Sequence, residues 1–166
     1  MNKGNSGFSN YKNSSGVPKK IKHKNVTTLE LKSITSDRLE HSNKGEFTQG
    51  NRPTGGGHGQ DNLDYLDKNK IRYEITYEYN NGVRVGNLPT STNKMFRTGG
   101  NHTWFPKNWS SQDIADAANF VASTYKGNPS ARTQHTKIYK NVKVTVIFGE
   151  NGSISTVYPN KDQGDL

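Results

Sequence analysis

Near the end of the chain Val142, Val144, Val146 and Phe148 alternate with polar residues, Glu150-Asn151-Gly152 follows, and Ile154, Thr156 and Tyr158 alternate again. A period of two sends successive side chains to opposite faces of a strand. Such a stretch closes as an antiparallel hairpin with one face toward a core, and Ile154, Thr156 and Tyr158 are expected to share a face of the return strand. A second unit has the same grammar. Ile71, Tyr73, Ile75, Tyr77 and Tyr79 predict a half-buried strand, Asn80-Asn81-Gly82 a tight turn, and Val83 and Val85 the strand that returns.

Helical signals are fewer. Ser110 and Asp113 have capping-box spacing, and Ile114, Ala117, Ala118 and Val121 behind them fall on one face, which predicts a helix over residues 111–125. An extended lead-in through Leu29, Leu31 and Ile34 is followed by a helical turn at residues 36–40, before Leu39 gives way to a polar loop. Asp61 caps a short helix carrying Leu63 and Leu66. There is no internal repeat. The expected class is α+β, with two small antiparallel sheets or lobes, a cleft between them and few helices.

Hydrophobic residues make up only 28% of the 166, and mean hydropathy is −1.00. One domain with a small core and long polar loops, at residues 42–60 and 87–103, follows from that. Trp104, Phe105 and Trp109 are read as anchors for the start of the main helix rather than as stacking platforms. Residues 1–25 are rich in Asn, Gly, Ser and Lys and are expected to form a flexible basic arm, with the folded domain spanning 26–166. The net charge is +9, but six lysines and no acid lie in residues 1–24, so most of the basicity belongs to the arm. Charge alone therefore makes a weak case for nucleic acid. No stretch approaches the ~20 apolar residues of a membrane span, and no secretory leader is expected in this segment. The absence of cysteine excludes disulfides, thiolate nucleophiles and cysteine-bound zinc.

Of the five histidines, His23 lies in the arm and His135 in what reads as a polar loop; both are expected to be exposed. His41 and His58 flank a glycine-rich loop that ends Gly55-Gly56-Gly57-His58. Glycines there allow the backbone to approach another group closely. Two histidines suit RNA cleavage by transesterification. One takes the proton of the ribose 2′-OH and the other protonates the leaving 5′-oxygen, since an unperturbed imidazole titrates at ~6.5. A cation then holds the charge that grows on the phosphoryl oxygens. One alternative is a metal nuclease in which the two histidines are joined by a third ligand, His102, Asp61 or Asp64; another is a non-enzymatic RNA-binding module, in which replacing His41 or His58 would leave function intact. On the last strand Thr156 and Tyr158, two apart, project to one face and could seat a base.

Four blocks carry a resemblance: Glu40-His41 with Gly45-Glu46; Gly56-Gly57-His58; Trp104-Phe105-Pro106-Lys107-Asn108-Trp109-Ser110; and Ile154-Ser155-Thr156-Val157-Tyr158-Pro159. In order and wording they resemble the bacterial EndoU nuclease domain, from about residue 30 to the end. The resemblance implies an EndoU-like fold with an RNase A-like relationship and a catalytic set of His41 (acid), His58 (base), a lysine, Thr156 and Tyr158. Lys94 is the preferred lysine, ahead of Lys44, Lys68 and Lys107. Many relatives have Lys-Thr before the aromatic-Phe-Pro block, where this chain has His102-Thr103. His102, Arg97, Thr156 and Tyr158 are expected to bind substrate. The resemblance further implies RNA, possibly tRNA, cut near uridine without a metal or other cofactor. It implies a monomeric toxin tip of a contact-dependent or secreted system that acts in the cytoplasm of a target bacterium, without membrane partners. A cognate immunity protein, acidic where it covers a basic cleft, is the expected partner.

Overall fold

The computed structural model describes residues 33–88 and 102–164. In chain order the elements are α1 (Ser36–Asn43), β1 (Glu46–Phe47), β2 (Pro53–Gly55), α2 (Gln60–Lys68), β3 (Glu74–Glu78), β4 (Arg84–Asn87), β5 (His102–Trp104), α3 (Ser111–Ser123), β6 (Gln134–Tyr139), β7 (Val142–Phe148) and β8 (Ile154–Pro159). The class is α+β, as expected. There are two antiparallel three-stranded sheets, β3-β4-β5 and β6-β7-β8, and a separate two-stranded ribbon, β1-β2, inside what reads as a loop. The arm, the lead-in at Leu29 and Leu31, Lys94 and Arg97 lie outside the described residues.

The larger core forms where α3 lies on the C-terminal sheet. The capping box predicted from Ser110 and Asp113 is present. Ile114, Ala117, Ala118 and Val121 pack on Val142, Val144, Val146, Phe148, Ile154 and Val157. The smaller core gathers Leu63, Leu66, Leu88 and Trp104, with Phe47, Ile71 and Tyr73 against them. Trp104 and Phe105 are consecutive and fully buried, but Trp104 plugs the smaller core and Phe105 the larger. Both pack, but only Phe105 anchors the start of the main helix as expected; Trp104 belongs to the other core. Phe105 stacks on Trp109 at the start of α3, with ring centroids 5.1 Å apart, whereas Trp104 donates to Asn62 Oδ1 at 2.9 Å. A buried hydrogen bond from Thr103 Oγ1 to the Pro159 carbonyl, 2.8 Å, ties β5 to β8 along the seam between the sheets.

Several expectations are corrected. β8 carries one extra residue, Ser155, because Phe148 pairs with Ile154 and Ile147 with Thr156. This bulge resets the alternation. Ile154 joins Val157 in the core, and Thr156 and Tyr158 turn to the opposite face instead of sharing one with Ile154. A second bulge, at Thr76, breaks the pattern of β3, whose five residues are all exposed rather than half-buried. Gly59, not Asp61, occupies the N-cap of α2. His135 stands on β6 rather than in a loop, half-buried, with Nε2 2.8 Å from Thr124 Oγ1.

Candidate active site

The last turn of a helix leaves carbonyl groups with no partner inside the helix. In α1 those of His41, Ser42 and Asn43 accept, in turn, from the N–H groups of Gly57, His58 and Gly59 at 2.9, 2.6 and 2.8 Å. The glycine run is thereby docked in register along the helix end. A Cβ at Gly56 would run into the His41 carbonyl, one at Gly57 into the Asn62 side chain, and both residues have positive φ. Close approach is therefore the purpose of these glycines, and its target is the turn that carries His41. From the other side, Phe105 N–H donates to the His58 carbonyl at 2.7 Å. Arg84, almost fully buried, bridges Gln60 Oε1 (2.8 Å) and the Phe105 carbonyl (2.5 Å), so the loop is held between α1 and the sheet.

Each histidine of this region has one ring nitrogen committed. His41 Nδ1 donates to Glu46 Oε1 at 2.9 Å. His58 Nδ1 donates to the Thr103 carbonyl at 2.7 Å, and His102 Nε2 to the Gly57 carbonyl at 2.7 Å. Acceptors that cannot donate fix the tautomers. In neutral His58 the proton sits on Nδ1, which leaves Nε2 basic. The His58 and His102 rings lie face to face, 4.5 Å apart and 7° from parallel, and Trp104 lies beyond His102 at 4.6 Å. Tyr158 is 5.5 Å from the His58 ring. His58 is held well below the ordinary histidine range. Burial of its ring is the largest cause; His102 and then His41 add to it, and the Thr103 hydrogen bond works against it. Burial likewise raises the Tyr158 phenol.

Ser42 joins the helix to the last strand. It is fully buried, its Oγ lies 3.2 Å from Thr156 Oγ1, and it accepts from Val157 N–H at 3.1 Å. Thr156 and Tyr158 thus stand beside the histidine loop, on the face freed by the Ser155 bulge.

The structure therefore gathers His41, His58, His102, Thr156 and Tyr158. Asp61 and Asp64 are engaged elsewhere, accepting from Asn43 at 2.6 Å and from Gln60 at 2.8 Å. Among the described residues no three His, Cys, Asp or Glu side chains converge as metal ligands. Lys44 pairs with Glu40 at 3.7 Å and lies over the Tyr65 ring, while Lys68 and Lys107 are exposed. Glu46 and Ser42 were missed as site residues. Gly45-Glu46 was visible as a motif, but nothing local shows that its carboxylate turns back onto His41.

The family model for the bacterial EndoU nuclease matches residues 35–161. The chain belongs to the bacterial EndoU nuclease family. No curated protein and no solved structure matches it. The EndoU match runs from the residue before α1 to just past β8, so it takes in all the gathered side chains and the ties that hold them. Among the described residues of this EndoU domain, no helix is long and apolar enough to cross a membrane.

Proposed function

We propose that this nuclease is an endoribonuclease that cuts by attack of the ribose 2′-OH on the adjacent phosphate, giving 2′,3′-cyclic phosphate and 5′-OH ends. The observation that carries this is a base and an acid candidate on adjoining segments. His58 is kept neutral with Nε2 basic, and His41 is oriented by Glu46. In this scheme His58 takes the 2′-OH proton and His41 protonates the leaving 5′-oxygen. Thr156 and Tyr158 seat the nucleotide. His102, Lys94 and Arg97 are the candidates for the cationic and substrate-binding roles, with His102 standing where relatives carry lysine. DNA has no 2′-OH and is spared. RNA cut near uridine, including tRNA, and service as a delivered toxin acting in a target bacterium's cytoplasm and neutralised by an immunity protein are supported by the family resemblance alone.

The test is incubation of the chain with RNA and with DNA in excess EDTA, beside His58→Ala. Cleavage of RNA alone, with cyclic-phosphate ends and loss in the variant, is expected. Cleavage that needs an added divalent ion, or that extends to DNA, would overturn the scheme in favour of a metal nuclease.

A further inference from the structure

Ser42 touches three parts of the site at once. It follows His41 in the last turn of α1. Its carbonyl accepts from His58 N–H at 2.6 Å. Its hydroxyl oxygen accepts from Val157 N–H at 3.1 Å and lies 3.2 Å from Thr156 Oγ1. The acid candidate, the backbone of the base candidate and the strand that carries Thr156 and Tyr158 therefore meet at one small side chain.

Burial decides which way the proton runs between the two hydroxyls. A serine hydroxyl has one proton to give and two lone pairs to receive with. Val157 takes one lone pair of Ser42. The residue is fully buried, so water does not receive its proton, and a buried donor left without an acceptor is costly. Among the described residues, Thr156 Oγ1 is the acceptor that Ser42 Oγ meets. Ser42 therefore donates to Thr156. The opposite sense would seal the Ser42 proton in the interior with nothing to receive it. Thr156 is only half-buried, and its own proton is left to turn outward. Val157 N–H, Ser42 O–H and Thr156 O–H thus run in one direction, each bond polarising the next. Tyr158, two residues on along the strand, lies 5.5 Å from the His58 ring, so the outward hydroxyl opens on the side of the histidines.

We propose that Ser42 is a positioning residue of this nuclease: by donating to Thr156 it holds the threonine hydroxyl as a donor to an acceptor oxygen of the bound RNA. This rests on the RNA-cutting scheme above. RNA offers two such oxygens near a cut, a non-bridging phosphoryl oxygen and a base carbonyl.

The experiment is a double-mutant cycle on kcat/KM for RNA, with the full chain, Ser42→Ala, Thr156→Val and the two changes together. Melting curves first show that each protein is folded at the assay temperature. If Ser42→Ala does not fold, Ser42→Cys, of similar volume but a weak donor, takes its place. Thr156→Val is expected to lose about tenfold, the scale of one hydrogen bond, and Ser42→Ala a similar amount. The double variant should lose no more than Thr156→Val alone, because the serine acts through the threonine. Thr156→Ser, which restores the donor, should recover most of what Thr156→Val loses. Strands with a single ribonucleotide, U or A, in an otherwise deoxy chain separate the two oxygens. An equal loss on both assigns the phosphoryl oxygen, and a loss confined to U the base carbonyl, which adenine lacks. A Ser42→Ala loss that persists in full beside Thr156→Val overturns the inference, since the serine would then serve only to pack α1 on β8, and leaves the RNA-cutting scheme standing. No cutting of RNA by the full chain sinks that scheme and the inference with it.

Discussion

The C-terminal half and the N-terminal half of this domain are held together in different ways. Around α3, β7 and β8 an apolar core is closed by side chains from both layers. The α1–α2 segment rests on the small cluster of Leu63, Leu66, Leu88 and Trp104 and touches the larger core only at its margin, through Ile34 and Leu39. Its glycine loop is positioned by hydrogen bonds to the helix end and by the absence of side chains at Gly56 and Gly57. His41 and His58 belong to the second region, Thr156 and Tyr158 to the first. In the proposed scheme the acid–base pair is thus mounted on a segment fixed by polar, directional contacts, and the nucleotide-seating strand on a segment fixed by packing. Directional contacts orient a ring, whereas burial of apolar area supplies stability.

Substitutions can break that contrast. The largest effect is expected from His58→Ala, which should reduce RNA cleavage by about 10²–10⁴-fold with the melting temperature little changed. A large drop in melting temperature would mean that the histidine loop bears the fold. Phe105→Ala, in the larger core, should cost about 3–5 kcal/mol in denaturant unfolding; a loss below about 1 kcal/mol would deny that core its role. The pH profile sharpens the comparison further. His58 lies below its unfolded value of ~6.5, so it stays neutral as pH falls through that point, and the acid limb of kcat/KM should lie below it. By linkage the unfolded chain takes up this proton first, so stability falls as pH drops from ~6.5 toward the folded value and is unaffected by this group above it. Removing the stacked ring by His102→Ala should move the acid limb upward, and a limb that stays put would remove His102 as a cause. A smaller loss, near tenfold in kcat, is expected for Glu46→Gln, which weakens the hold on His41; unaltered kcat in that variant would show that the ring needs no such support. Least of all, Tyr77→Ser on the exposed β3 should change stability by no more than about 0.5 kcal/mol.

The same division governs what could be read from sequence. The strongly packed half announced itself. Period-two valines on β7 and the capped, one-faced α3 are direct imprints of burial on residue order. β6 left no such imprint, since an edge strand reading Gln-His-Thr-Lys-Ile-Tyr has no continuous apolar face. Bulges at Thr76 and Ser155 shift the phase by one residue, and no local signal marks that shift. In the site, the histidines and the three glycines were legible because their chemistry is particular to those residue types. Glu46, Ser42 and the stack of His102 on His58 were not, because each depends on contacts between segments whose approach only the fold determines. The resemblance to EndoU nucleases supplied the assignments that spacing left open.

Trp104 and Phe105 carry a consequence for how the molecule comes apart. One peptide bond links a ring sealed in the smaller cluster to a ring sealed in the larger, and His102 sits just before them. Neither cluster can open far without pulling on its neighbour, so the two should be lost in a single cooperative transition rather than one after the other. Amide hydrogens of α2 and α3 would then exchange at a common slowest rate, and no partly unfolded form would keep the histidine pair aligned after the rest has melted.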